Sequence, residues 1–157
     1  MLKAIKRALA AHEETKPIPA HERRQLLLAV AVLVHEARRA DYAEGESRES
    51  AAAEAALREM FGLDAAQAAE LLAEGRHKAQ QLSSFYAPLA LIKREYGMPE
   101  RVRLVEHLWR VSFADGELNL YEDHYVRKIA HLLYVPNVQS MLARNRAKQM
   151  HQAADSA

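Results

Sequence analysis

The sequence predicts an all-α protein, a compact bundle of seven or eight helices, on three observations. Only five glycines and five prolines interrupt 157 residues. Ala, Leu, Glu and Arg, all strong helix formers, dominate what remains. Apolar residues recur at three- and four-residue intervals, the period of a helix with one buried face. Half of the residues are apolar, enough at this length for a single core without staples. No sheet is expected.

Leu2, Ile5 and Leu9 share a helical face with Lys3, Lys6 and Arg7 between them, so residues 1–19 read as a short amphipathic helix and a linker stopped by Pro17 and Pro19. A docked or frayed terminal helix suits this segment better than a membrane-touching one. From Ala20 to Ala40 the stripe Leu27, Val30, Val34 and Ala37, flanked by Leu26 and Leu33, predicts a central helix. The polar run Asp41–Ser47 breaks it. A second helix is expected to start at a Ser47 cap and end near Gly62. Asp64 and Gln67 have capping-box spacing for a third, ending near Gln81 or Leu82. Ser83 or Ser84 is expected to cap a fourth, with Pro88 in its first turn.

Gly97 stops that helix and Pro99 opens the next, whose apolar side is Val102, Val105, Leu108, Trp109 and Ser112. After Asp115–Leu118, Asn119 is a candidate cap for a helix carrying Val126, Ile129, Leu132 and Leu133, stopped before Pro136. A last helix is predicted from about Asn137 to Met150, with Met141 and Leu142 towards the core and Arg144, Arg146 and Lys148 towards water. Residues 20–150 form the domain, and residues 151–157 are expected to be a mobile tail.

Composition narrows function. Lys and Arg number 22 against 21 Asp and Glu, a formal charge of +1, which gives no general attraction for nucleic acid. The basic positions Arg23, Arg24, Arg38, Arg39, Arg101, Arg103, Arg144, Arg146 and Lys148 read as solvated faces among intervening acids. Absence of cysteine excludes disulfides, thiolate metal sites and cysteine nucleophiles. With no apolar stretch of signal or membrane length, stable membrane insertion is not expected and the cytoplasm is the default location. No zinc-protease HExxH, phosphate-binding loop, dinucleotide fingerprint or serine elbow occurs. His35, His107, His124 and His131 form no familiar ligand spacing and read as packing or surface residues. The aromatic residues Phe85, Tyr86, Trp109, Phe113, Tyr121, Tyr125 and Tyr134 read as core and interface material.

Two acidic turns remain. Asp115, Glu117 and Glu122 surround one helix junction, and Asp41, Glu44, Glu46 and Glu49 surround another. Carboxylates are hard-oxygen donors, so two such turns brought together suit a divalent cation of the calcium or magnesium type. The standard twelve-residue calcium loop is excluded, because Asp115–Glu122 is too short and its glycine comes too early. Acidic residues also favour helix starts, where they accept amide hydrogen bonds and meet the positive end of the helix dipole, and that account needs no metal. The two segments echo each other: an apolar helix, Ala-Asp, an acidic glycine-bearing turn, then a second helix. Leu57 to Leu63 and Ile129 to Val135 are both six residues apart, so the bundle is open to reading as two pseudo-duplicated hairpins.

The Ala114-Asp-Gly-Glu117 turn, then Glu122, then Ile-Ala-x-Leu-Leu at Ile129 to Leu133, resembles the TerB-like family, named through tellurite resistance. The looser first copy runs from Ala40-Asp41 through Leu57-Arg-Glu-Met-Phe-Gly-Leu63, and the resemblance covers residues 20–150. It implies an all-helical domain and favours acidic metal association or participation in a stress-response complex. Asp115, Glu117 and Glu122 match the acidic turn directly and Asp41 the first turn's leading Asp; the inserted Tyr42-Ala43-Glu44 displaces Gly45. The expected function is a noncatalytic cytoplasmic binding or adaptor protein, stress-associated, with a candidate divalent-cation site at Asp41, Glu46, Glu49, Asp115, Glu117 and Glu122. A protein partner is expected, and a homodimer through an apolar helix face is a further option. Two alternatives stand: a metal-dependent hydrolase using the same carboxylates, which needs them in a cleft, and an interaction scaffold without metal.

Overall fold

The computed structural model describes residues 20–39, 46–114, 118 and 120–156. Among them lie seven helices and no strand: α1 (Ala20–Arg39), α2 (Glu46–Phe61), α3 (Ala65–Gln81), α4 (Tyr86–Glu95), α5 (Met98–Phe113), α6 (Leu120–Leu132) and α7 (Asn137–Ser156). The helix expected near the N-terminus lies outside these residues.

α1 is the central helix, and its burial exceeds the expected stripe. Every residue from Ala29 to His35 is buried, because α2, α3, α4, α5 and α6 all pack against it and leave no face for water. The closest approach is to α3, which presents Ala68, Leu72, Gly75 and Ala79. A Cβ added at Gly75 would fall 2.8 Å from both the carbonyl carbon and the Cβ of Ala31. Here the two helices meet with only a glycine between their backbones.

The local stop and start signals work as read. Gly62 takes φ 65° and returns its N–H to the Arg58 carbonyl at 2.8 Å, ending α2. The Asp64 carboxylate accepts the Gln67 N–H at 2.8 Å while the Gln67 side chain accepts the Asp64 N–H at 3.0 Å, the reciprocal box that opens α3. α2 begins at Glu46, one residue ahead of the expected Ser47 cap. Phe85 holds the N-cap position of α4 without a side-chain bond; Ser84 helps from outside, its hydroxyl accepting the Tyr86 N–H at 3.4 Å. Pro99 lies in the first turn of α5 behind Gly97.

Arg101 corrects its reading as a solvated base. Half-buried, its guanidinium donates to three carbonyls: Lys93 at 2.7 Å, Tyr96 at 2.9 Å and Leu133 at 3.2 Å. It thereby serves acceptors left open at the ends of α4 and α6, where the helix dipoles favour a cation. The end of α6 is a left-handed turn. Tyr134 takes φ 58°, its N–H bonding the His131 carbonyl and that of Val135 the Ala130 carbonyl, with Lys93 stacked 4.7 Å from the Tyr134 ring. Pro136 follows and bars continuation.

α5 is the second buried helix: from Leu104 to Phe113 only Glu106 and Arg110 reach solvent in part. α7 packs along it through Ser140, Ala143 and Ala147. This narrow stripe of small residues turns Leu142 outward, 51% exposed, where the sequence placed it inward; Met141 stays half-buried. α7 also runs on to Ser156, past the expected end near Met150, through the helix formers Ala153 and Ala154 and a His151–Asp155 pair at 3.2 Å, one turn apart. The two hairpins foreseen in the sequence are α1–α2 and α5–α6, and they pack on each other through α1 and α5.

His107 lies in α5 beside an ion-pair cluster. Arg110 bridges Glu59 at 3.2 Å and Glu106 at 2.9 Å, and Glu106 also binds Arg146. Burial, reinforced by the charges of Arg110 and Arg103 and opposed by those of Glu59 and Glu106, lowers the His107 pKa below 6.5. The unfolded chain therefore takes up a proton near pH 6.5 that the folded protein refuses, so stability present above that pH declines on acidification through it. We expect the urea midpoint to fall between pH 7 and 5. In His107→Gln this part of the slope is expected to flatten; an unchanged slope would show that His107 does not carry it.

Candidate functional site

The first turns of α6 and the last third of α1 are joined by one hydrogen bond, from the Tyr125 hydroxyl to the Leu33 carbonyl at 2.8 Å. Leu33 lies six residues before the end of α1, and Tyr125 five residues after the start of α6. At 1.5 Å per residue, the helix ends that lead to Asp41 and from Asp115 each lie within about 9 Å, along their own axes, of this bond. Burial and the nearby Glu36 charge push the Tyr125 phenol well above its usual range, so it stays a hydrogen-bond donor.

Glu122 sits in the first turn of α6 on the inward side, 1% exposed. A carboxylate that deep is costly unless compensated by amide donors or a cation. Glu122 is not isolated there, and its place at the helix start gives it the favourable end of the dipole. Its neighbour Asp123, absent from the candidate set, is engaged elsewhere: it pairs with Arg127 at 2.7 Å and Arg144 at 3.4 Å. The four-residue Asp123–Arg127 spacing was the available signal for that pairing. Arg144 in turn covers the rings of Trp109 and Phe113 at 5.6 Å and 5.8 Å.

Of the other candidates, Asp41, Asp115 and Glu117 lie outside the described residues, as do the side chains of Glu46 and Glu49, whose backbone forms the first turn of α2. Among the described residues no group of three or more His, Asp or Glu is placed to hold a metal ion. His35 and His107 are buried, whereas His124 and His131 face solvent. Leu120 and Tyr121, next to Glu122 in sequence, stand out into water at 87% and 79% exposure.

The family model for tellurite resistance protein TerB matches residues 27–145, well over half of the chain. The chain belongs to the TerB family. The matched region starts within α1 and ends within α7, so a TerB domain contains the central helix, both hairpins and the acidic junctions. No curated protein and no solved structure shows significant similarity to the chain. None of the described helices of this TerB domain is long and apolar enough to cross a membrane.

Proposed function

We propose that this TerB-family chain is a noncatalytic binding module, a stress-associated cytoplasmic adaptor, whose acidic end takes up a divalent cation of the calcium or magnesium type. The observation that carries the reading is the burial of Glu122 at a helix start bonded, through Tyr125, to the helix that leads into Asp41. The donor chemistry fits: Asp41, Glu46, Glu49, Asp115, Glu117 and Glu122 offer only carboxylate oxygens, the ligands such cations prefer. The cation would neutralise clustered charge and couple the two acidic junctions. Leu120 and Tyr121, which precede Glu122 and project into solvent, supply an apolar contact for a protein partner.

A second reading is supported by the positions of Glu46, Glu49 and Glu122 in helix first turns, where acids are favoured without metal. It makes the chain an interaction scaffold. Equilibrium dialysis of stripped protein against calcium or magnesium separates the two. About one ion retained per chain in the wild type and markedly less in Asp115→Asn is the expected outcome; none retained in either leaves the scaffold.

A further inference from the structure

Beyond Gly75 the end of α3, the chain turn after it and α4 lie along α1, and between them the surface opens into a slot of about 640 Å3. That volume lies within the range of small-ligand sites. Its floor includes Ala29, Val32 and Pro88, all buried; Val32 is 1% exposed. Because those three are already covered, the apolar surface a ligand meets in the slot is that of the half-buried Leu28, Leu82 and Leu91.

Lys78 and Arg94 are the charged residues that line the slot. The Lys78 ammonium makes no ion pair or hydrogen bond among the described residues. Arg94 uses its Nε on Glu95 at 3.0 Å, which leaves its terminal nitrogens. Glu70 and Glu74 line a separate depression on the other side of Lys78, and Glu74 is paired with Arg24 at 3.4 Å.

We infer that this slot binds a single-chain anionic amphiphile, a fatty acid, with the alkyl chain along Leu28, Leu82 and Leu91 and the carboxylate at Lys78 and Arg94. The inference is independent of the cation reading, since it uses neither the acidic junctions nor the residues around them. Buried methylenes drive such binding and the two cations on the lining select an anionic head group.

The test is calorimetric titration of the full chain with octanoate, decanoate and dodecanoate below their micelle concentrations, alongside dodecanol and dodecylammonium. One saturable site is expected, strengthening about fourfold per added methylene. Dodecanoate should bind on the order of tenfold more tightly than dodecanol, and Lys78→Glu with Arg94→Glu should remove that advantage. Both residues are exposed, so the double variant folds; Ala87→Trp, at an exposed lining position, should plug the slot. No saturable binding at any length overturns the inference. Binding equally tight for dodecylammonium, binding unmoved by both sets of substitutions, or an acidic helical peptide that dodecanoate fails to displace would also overturn it.

Discussion

Trp109→Ala is expected to lower folding stability by about 3–5 kcal/mol, the range for emptying a large buried aromatic site. Trp109 is wholly enclosed on α5, in the core and under the Arg144 guanidinium of α7. Truncation removes the ring, leaves a void between helices held in place by other contacts, and strips Arg144 of its stacking surface. At this chain length the melting temperature should drop on the order of 10 °C. Trp109→Phe should cost much less, because the indole N–H has no hydrogen-bond partner among the described residues and only volume is lost. Equal losses in the two variants would contradict this account of the site.

Gly75→Leu is expected to cost about 3 kcal/mol. At Gly75 even a methyl group meets the Ala31 backbone at 2.8 Å, and backbone cannot rotate aside as a side chain can. The helices must separate, and α1 then loses packing along its most extensive contact. Gly75→Ala should show a smaller loss, because better helix propensity, worth about 1 kcal/mol, opposes the clash. Thermal melts of the three proteins should therefore order as wild type, Ala, Leu. An Ala variant more stable than wild type would mean that α1 and α3 adjust without strain.

Those two residues also show how far the sequence could be read. Trp109 stood out as apolar and in phase with Val105 and Ser112, so its burial followed from helical periodicity. Gly75 did not, because a glycine inside a helical pattern reports only a propensity cost; which backbone faces it depends on a helix over forty residues away. Ends set by short-range chemistry were legible: Gly62, the Asp64–Gln67 box and Pro99 each act within four residues. Tertiary partners were not. Arg101 reads as surface until the ends of α4 and α6 supply carbonyls, and α1 reads as one-faced until five helices surround it. Leu142 was placed inward by hydropathy, yet a tight α5–α7 contact admits only Ser140, Ala143 and Ala147.

The acidic junctions were visible by composition and spacing, which also led to the TerB resemblance. Whether those carboxylates cap helices or bind a cation turns on distances between side chains from separate hairpins, and spacing within one turn cannot encode them. Glu122 adds the one tertiary fact: it is inside. Asp123, one residue on, faces Arg127 and Arg144 instead, as the 100° step between adjacent helix positions requires.

Calorimetric titration of metal-stripped protein with calcium, magnesium, manganese and zinc, run beside the folded variants Asp115→Asn and Asp41→Asn, tests the central claim most directly. The account predicts saturable binding of calcium or magnesium near one ion per chain, weakened in both variants, because each removes a ligand from a different junction. Heats that never saturate in the wild type, or binding that both variants retain at full strength, would contradict it and return the acidic residues to helix capping.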